Sequence, residues 1–299
     1  MQRLTRSLVA IAATAVCACS PKDAAKTDSP KVAQSGTVAP AAAAASRGTF
    51  DPATHTAVIH AKDFSFEAPD SITAGWTTFH LVNEGPNLHH VQIVRLDSGK
   101  TAKDLEQALH NPGPPPRWAV FVGGPNAPDP GGQSEAMLNL AAGQYMVICV
   151  IDIPEHVPHF AKGMVHPLTV TAASGPAAAE PTADVTVSLA DYNFDVKGTL
   201  SAGKHTIKVV NSGPQPHEVE LIRLAPGKTP KDVWAWINNP SGPPPGNAVG
   251  GVVAFVPGGT NYFTAVTPAG DYALFCFVPD GKDGKAHLEH GMVKQIKIS

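Results

Sequence analysis

Asn83-Glu84-Gly85-Pro86 returns as Asn211-Ser212-Gly213-Pro214, and Asp63-Phe64-Ser65-Phe66-Glu67 returns as Asp191-Tyr192-Asn193-Phe194-Asp195. Both are displaced by 128 positions (83 to 211, 63 to 191). Lys100-Thr101, Asp104 and Asn111-Pro112 match Lys228-Thr229, Asp232 and Asn239-Pro240 at the same displacement. The run Gly113-Pro114-Pro115-Pro116 returns as Gly242-Pro243-Pro244-Pro245, and Met164 returns as Met292. A displacement held across a whole unit marks a duplication. The fold must therefore be one that about 117 residues close twice, each copy being large enough for its own core.

Within each copy the pattern is that of short strands. Val58, His60, Phe64 and Phe66 alternate with smaller or polar residues, as do Thr186-Val187-Ser188-Leu189. Thr77 to Val82 and Thr206 to Val210 both run into Asn-x-Gly. Turn residues recur at intervals of roughly ten, which predicts an all-β fold of two tandem Greek-key β-sandwich domains. One short helix interrupts each copy. Thr101 caps Ala102–Leu109 and Thr229, with Pro230, caps the stretch to Asn238. Leu105 with Leu109, and Val233 with Ile237, give each helix one apolar edge to lay on the sandwich.

The N-terminal residues belong to neither copy. Met1 to Arg6 is short and positive, Leu8 to Val16 is apolar, and Cys17-Ala18-Cys19 follows. Such a segment reads as a secretory signal too short to span a bilayer. Val16-Cys17-Ala18-Cys19 resembles a bacterial lipobox, which favours lipidation of Cys19 over simple cleavage. The expected organisation is a lipoprotein signal at 1–18, a disordered tether at 19–54, domains at 55–172 and 183–299, and a linker at 173–182. The expected location is the periplasmic side of a bacterial membrane, held by the N-terminal lipid. The chain carries 22 basic against 25 acidic residues, and losing Arg3 and Arg6 leaves 22 − 2 = 20 basic. With no basic run and no aromatic–basic interleaving, nucleic acid is excluded as a partner.

Besides Cys17 in the signal and the lipidated Cys19, only Cys149 and Cys276 remain, and they occupy equivalent places in the two copies. Each ends a strand, Gly143-Gln144-Tyr145-Met146-Val147-Ile148-Cys149 and Gly270-Asp271-Tyr272-Ala273-Leu274-Phe275-Cys276. By period two, Tyr145, Val147 and Cys149 share a face, as do Tyr272, Leu274 and Cys276. A loop follows each cysteine, then His159-x4-Met164 or His287-x4-Met292, while Asn-x-Gly-Pro-x-x-His places His89 and His217 just after a strand. A buried Cys alone is usually a small hydrophobe and a Met usually fills core. All four residue types, in order and twice, favour a metal.

These marks resemble the cupredoxin family, the blue-copper fold of plastocyanin and its relatives, over both copies almost end to end. The resemblance implies one copper per domain, up to two in all, bound by His89, Cys149, His159 and Met164 and by His217, Cys276, His287 and Met292. Two imidazoles, a thiolate and a distant thioether suit Cu(I) and Cu(II) alike. Ile148, Val150, Phe275 and Phe277 are expected to shield the thiolates. Three departures accompany the likeness. The Cys-to-His loops are longer than in the small carriers and closer to those of copper nitrite reductases. His90 and Glu218 stand where many relatives have an Asn that braces the ligand loops. His156 and His290 are near enough in sequence to compete as ligands.

Apolar residues flank both thiols, Ile148 and Val150, Phe275 and Phe277. That leaves no His-Cys-His run of the kind that wires a multicopper oxidase cluster and no His before the Cys as in nitrite reductases. The expectation is accordingly a non-enzyme that passes single electrons between periplasmic or membrane redox partners. Copper capture and delivery, or a metal-free interaction module, is the alternative class.

Overall fold

The computed structural model describes residues 48–109, 115–173, 175 and 178–299. The expected signal, the lipidated Cys19 and the tether as far as residue 47 lie outside the described residues, as does 110–114 with the start of the first Pro-rich loop. The first repeat forms β1 (Thr49–Asp51), β2 (Thr56–Lys62), β3 (Ser65–Glu67), β4 (Ser71–Thr73), β5 (Gly75–Asn83) and β6 (Gln92–Leu96). Helix α1 (Ala102–Leu109) follows, then β7 (Ala119–Gly123), β8 (Gln133–Leu140), β9 (Gly143–Ile148) and β10 (Val165–Thr171). The second forms β11 (Val185–Ala190), β12 (Asn193–Lys197), β13 (Gly203–Asn211), β14 (His217–Leu224), helix α2 (Pro230–Asn238), β15 (Gly246–Phe255), β16 (Thr260–Thr267), β17 (Gly270–Phe275) and β18 (Val293–Ile298). Order begins earlier than expected, since β1 lies inside the predicted tether and pairs antiparallel with β2.

Each strand pattern follows from which face is wet. In β2 and β5 every second residue is buried, the alternation of a sheet with one dry face. In β9 and β17 the last four residues are all buried, because these strands are covered on both sides. Tyr145, Val147 and Cys149 face the inner core between the sheets, and so do Tyr272, Leu274 and Cys276. Met146 and Ile148 face outward under Leu105 of α1, while Ala273 and Phe275 lie under Val233 of α2. Both helices start where a Thr–Asp capping box predicts. The Thr101 N–H donates to Asp104 at 2.8 Å and the Thr229 N–H to Asp232 at 2.7 Å. Ile237 departs from its expected place, being 41% exposed beyond the end of the helix contact.

The two repeats do not keep separate sheets. One nine-stranded sheet runs β1-β2-β5-β8-β16-β13-β11-β12 with β3 on β2, and the other runs β18-β17-β14-β15-β7-β6-β9-β10-β4. They join where like meets like. In the half of the repeat around Cys149 and Cys276 the displacement is 127 (149 to 276), and β8 pairs with β16 so that Ala136 faces Phe263, its own counterpart. Glu135 and Met137 then face Thr264 and Tyr262. The second junction is reciprocal too: the Asn126 N–H donates to Gly251 O at 3.1 Å and the Val253 N–H to Gly124 O at 3.0 Å. This is a self-complementary contact, the kind made by a two-fold dimer, here within one chain. All described residues fall in one compact unit, and the inner core runs through both repeats, from Ile59 and Phe79 to Val209 and Phe263. Glu180, between the repeats, accepts hydrogen bonds from the Tyr262 hydroxyl and from Lys208 Nζ.

Shared sheets predict shared unfolding. Phe263→Ala, at the junction, is expected to cost about 3–5 kcal/mol. In urea the fluorescence of Trp76 and Trp118 in the first repeat and of Trp234 and Trp236 in the second should report one common midpoint, shifted together by the substitution. Two separated midpoints would contradict a joint fold.

Candidate metal centres

Strand ends bring the first donor set together. His89 sits on the loop between β5 and β6, Cys149 immediately after β9, and His159 at the start of a 3-10 turn, His159–Lys162. Asn83 organises the loop that bears His89. Its Oδ1 accepts from the Gly85 N–H at 3.1 Å, and its Nδ2 donates to Asn87 O at 2.9 Å and Pro128 O at 3.2 Å. Asn211 repeats this with Gly213, Gln215 and Phe255. The glycine of the motif is there for space: a Cβ on Gly85 would stand 2.6 Å from His89 Nε2, and one on Gly213 would stand 2.6 Å from His217 Nε2.

The Cys-to-His loop is stitched at both ends. The Cys149 N–H donates to Met164 O at 3.3 Å, the Phe160 N–H to Cys149 O at 2.8 Å and the His159 N–H to Ile151 O at 2.9 Å. In the second repeat the bonds are Cys276 to Met292, Leu288 to Cys276 and His287 to Val278, despite one extra loop residue. Gly163 and Gly291 both end their 3-10 turn with φ 101°, which only glycine adopts freely and which swings the chain back to the methionine.

The donor atoms converge. His89 Nδ1 lies 3.2 Å from His159 Nδ1, and Cys149 Sγ lies 3.5 Å from His159 Nδ1. In the second set, His217 Nδ1 and His287 Nδ1 are 3.0 Å apart, with Cys276 Sγ at 3.4 Å from His287 and 3.9 Å from His217. All six residues are buried, and within each set every donor atom lies within 4.8 Å of the others. Bonds of about 2.0–2.3 Å splayed at trigonal angles separate nitrogen and sulfur donors by about 3.5–3.8 Å, so each triangle has the size a copper needs. Met164 and Met292 are fully buried in the same core cluster as the cysteines. His156 is exposed, and His290 pairs with Asp283 and stacks on Tyr192, so neither joins either His–Cys–His set.

A carboxylate fixes which nitrogen faces inward. His89 Nε2–H donates to Asp63 Oδ1 at 2.8 Å and His217 Nε2–H to Asp191 Oδ1 at 2.6 Å. With Nε2 holding the proton, Nδ1 is left as a bare lone pair aimed at its partners, the arrangement of a metal-ligating imidazole. Asn87 and Gln215 hold the second oxygen of Asp63 and Asp191, at 2.8 and 2.9 Å. Burial lowers the pKa of all four imidazoles, bringing His159 and His287 down to about 4, so each is neutral at pH 7. Burial likewise pushes the Cys149 thiol up to about 12 and raises Cys276, so both hold their proton until a cation displaces it.

The sequence departures at His90 and Glu218 prove to be replacements. His90 Nε2 accepts from the Val150 N–H at 3.0 Å, and Glu218 Oε1 accepts from the Phe277 N–H at 2.8 Å. Both therefore brace the residue that follows the cysteine. Two expectations are corrected: Ile148 and Phe275 shield the thiols only from behind, because period two turns them outward under the helices. The rings beside the donors are instead Phe64, edge-on to His159 at 5.3 Å, and Tyr192, edge-on to His287 at 5.4 Å. Asp63-Phe64 and Asp191-Tyr192 stood in the repeat, and their conservation between the two copies was the available signal. The second site differs by Asp280, whose Oδ2 accepts from Tyr192 at 2.5 Å and Gln215 at 2.9 Å and lies 3.7 Å from His287 Nε2. Asp280, Asp283 and His290 also cluster, with their carboxylates already occupied by these donors and by the backbone N–H groups of Lys282 and Lys285.

Sandwich and donor sets together define a cupredoxin-like protein with two His–Cys–His sites that fit up to two copper ions. No protein-family model matches the chain, and no curated protein matches its sequence. Among solved structures it is similar to a dithionite-reduced auracyanin from the photosynthetic bacterium Roseiflexus castenholzii, with 22% identity over 39% of this chain and 97% of that one and a TM-score of 0.30. A multicopper oxidase (14% identity, 86% and 94% covered, TM-score 0.26) is also similar. So is a copper nitrite reductase from Nitrosomonas europaea (14%, 81% and 93%, TM-score 0.24). The last two are enzymes, so the expectation of a non-enzyme is corrected. The apolar neighbours of the two thiols describe only the flanks of each cysteine and say nothing about chemistry elsewhere on the molecule.

The close approach at Gly85 yields a site-specific prediction. Gly85→Ala should drive a methyl into the His89–Asp63 contact and weaken copper binding at the first set by about tenfold or more, leaving the second unchanged. Copper titration of the variant, read at each site, checks this; equal affinity at both sites would contradict it.

Proposed function

We propose that this chain is an exported copper protein whose two type 1-like centres take up and release single electrons. His89, Cys149, His159 and Met164 hold the first metal, and His217, Cys276, His287 and Met292 the second. The observation that carries the reading is the convergence, twice, of neutral imidazole Nδ1 atoms on a buried thiol. Copper supplies the one-electron couple. The chain supplies donors already held by strands, stitched loops and carboxylates, so both oxidation states meet the same cage with little rearrangement. The partner is a redox protein on the same side of the membrane. A lipid on Cys19 keeps the chain at that surface, a role supported by the signal and lipobox pattern. No helix among the described residues is long and apolar enough to cross a membrane.

The test is a titration of the soluble form, starting at Ser20, with Cu(II). Two equivalents should bind with an intense visible thiolate-to-copper band, and Cys149→Ser and Cys276→Ser should each remove one equivalent and its share of the band. Because each protonated thiol must give up its proton, affinity should rise by about tenfold per pH unit near neutrality. No band, with an unchanged melting temperature on adding copper, would overturn the reading.

A further inference from the structure

The two donor sets are built alike, but their surroundings are not. The His159 N–H donates to Ile151 O and the His287 N–H to Val278 O, so the two Cys-to-His loops align by their bonds as well as by their sequence. Two positions after these carbonyls, the Ile153 N–H donates to Val157 O and the Asp280 N–H to Lys285 O. Ile153 and Asp280 therefore hold the same place (displacement 127, 153 to 280). Where the first loop has an apolar side chain, the second has a carboxylate.

That carboxylate is buried, fixed and charged. The Asp280 side chain is 1% exposed. Its Oδ2 accepts from the Tyr192 hydroxyl and from Gln215 Nε2, and its Oδ1 accepts from the Lys282 N–H at 2.7 Å. Those donors hold the carboxyl well below the usual carboxylate range, so it is ionised at pH 7. Its Oδ2 lies 3.7 Å from His287 Nε2, a buried atom with no hydrogen-bond partner among the described residues. This is too long for a hydrogen bond, so Asp280 acts on His287 as a charge. The first set has Ile153 at this place and Phe64, without a hydroxyl, where Tyr192 stands. Asp63 and Asp191 are common to both sets and do not distinguish them. The other charged side chains of the two loops, Asp152 and Glu155 in the first and Lys282, Asp283 and Lys285 in the second, are exposed, where water and salt screen them.

Oxidation of a bound copper adds one unit of positive charge to its cage. A buried carboxylate beside one ligand attracts that charge through a medium that screens it weakly, so the oxidised state gains at the second set and not at the first. We propose that Asp280 makes the two centres unequal: it favours Cu(II) at the second set, so the first set has the higher potential and takes the first electron when the loaded protein is reduced. The two sets then fill in a fixed order and empty in the reverse one. The consequence rests on the copper reading of both sets.

The measurement is a redox titration of the thiolate-to-copper band in the chain starting at Ser20, with Cys276→Ser to isolate the first set and Cys149→Ser to isolate the second. The second set should favour Cu(II) over Cu(I) about tenfold more than the first, or more, which is a potential lower by about 59 mV for one electron. Adding Asp280→Asn to the Cys149→Ser chain should remove about tenfold of that preference. Tyr192→Phe, which gives the second set the ring of the first and leaves the carboxylate, should keep it. Equal potentials, a higher potential at the second set, a gap that survives Asp280→Asn, or one that Tyr192→Phe closes, each overturns the ordering while leaving the copper reading intact. Should Asp280→Asn fail to fold, Ile153→Asp in the Cys276→Ser chain decides. It should raise the Cu(II) preference of the first set by about tenfold, and an unmoved potential overturns the role of the carboxylate. If neither single-site chain shows the band, the copper reading fails and the ordering falls with it.

Discussion

A neutral imidazole has one nitrogen that donates and one that accepts, and everything at these two sites depends on which is which. Asp63 and Asp191 settle the matter by taking the Nε2 protons of His89 and His217. The Nδ1 lone pairs are then obliged to face the thiol and the second imidazole. Much of the local sequence serves that contact. Asn83 and Asn211 hold the loop, the glycine two residues later leaves room against Nε2, and Asn87 and Gln215 hold the carboxylate in place. Burial does the rest, keeping the imidazoles neutral and the thiols protonated in the metal-free chain, ready to exchange a proton for a cation.

The duplication acts at a second level. Because the repeats meet through β8 with β16 and β7 with β15, edges that would otherwise be open templates for pairing are closed against one another. The junction has the form of a two-fold contact but is not symmetric in chemistry. Gln92 Nε2 donates across it to Ala254 O at 3.0 Å where the second repeat has Glu220, and Asn126 has Val253 as its counterpart. Duplication supplied two similar sites and a self-complementary junction, and later divergence made both unsymmetric.

Much of this was legible in the sequence, wherever the signal was periodic or repeated. Alternation placed Tyr145, Val147 and Cys149 on one face, and a Thr–Asp pair marked the start of each helix. Ordered Cys and His residues pointed to both His–Cys–His sets. What was not legible depended on distance in three dimensions. Asp63 is 26 residues from His89, in a turn that reads only as strand punctuation. His90 and Glu218 looked like the loss of a brace, because an imidazole and a carboxyl share with Asn only the ability to accept a hydrogen bond, and it is that ability the loop uses. Ile148 and Phe275 looked like neighbours of the metal because adjacency along a strand is not adjacency on a face. The merging of the sheets left no local trace, since β8 alternates buried and less buried residues as any strand with one dry face does.

On this reading each copper is held by two imidazole nitrogens and one thiolate from the same repeat. X-ray absorption at the copper edge of the fully loaded protein tests it most directly. The spectrum should show two nitrogen neighbours and one short sulfur neighbour for each copper, with the sulfur lost from half the metal in either single Cys→Ser variant. A first shell of nitrogen and oxygen alone would contradict it and leave the two buried sets as parts of the core.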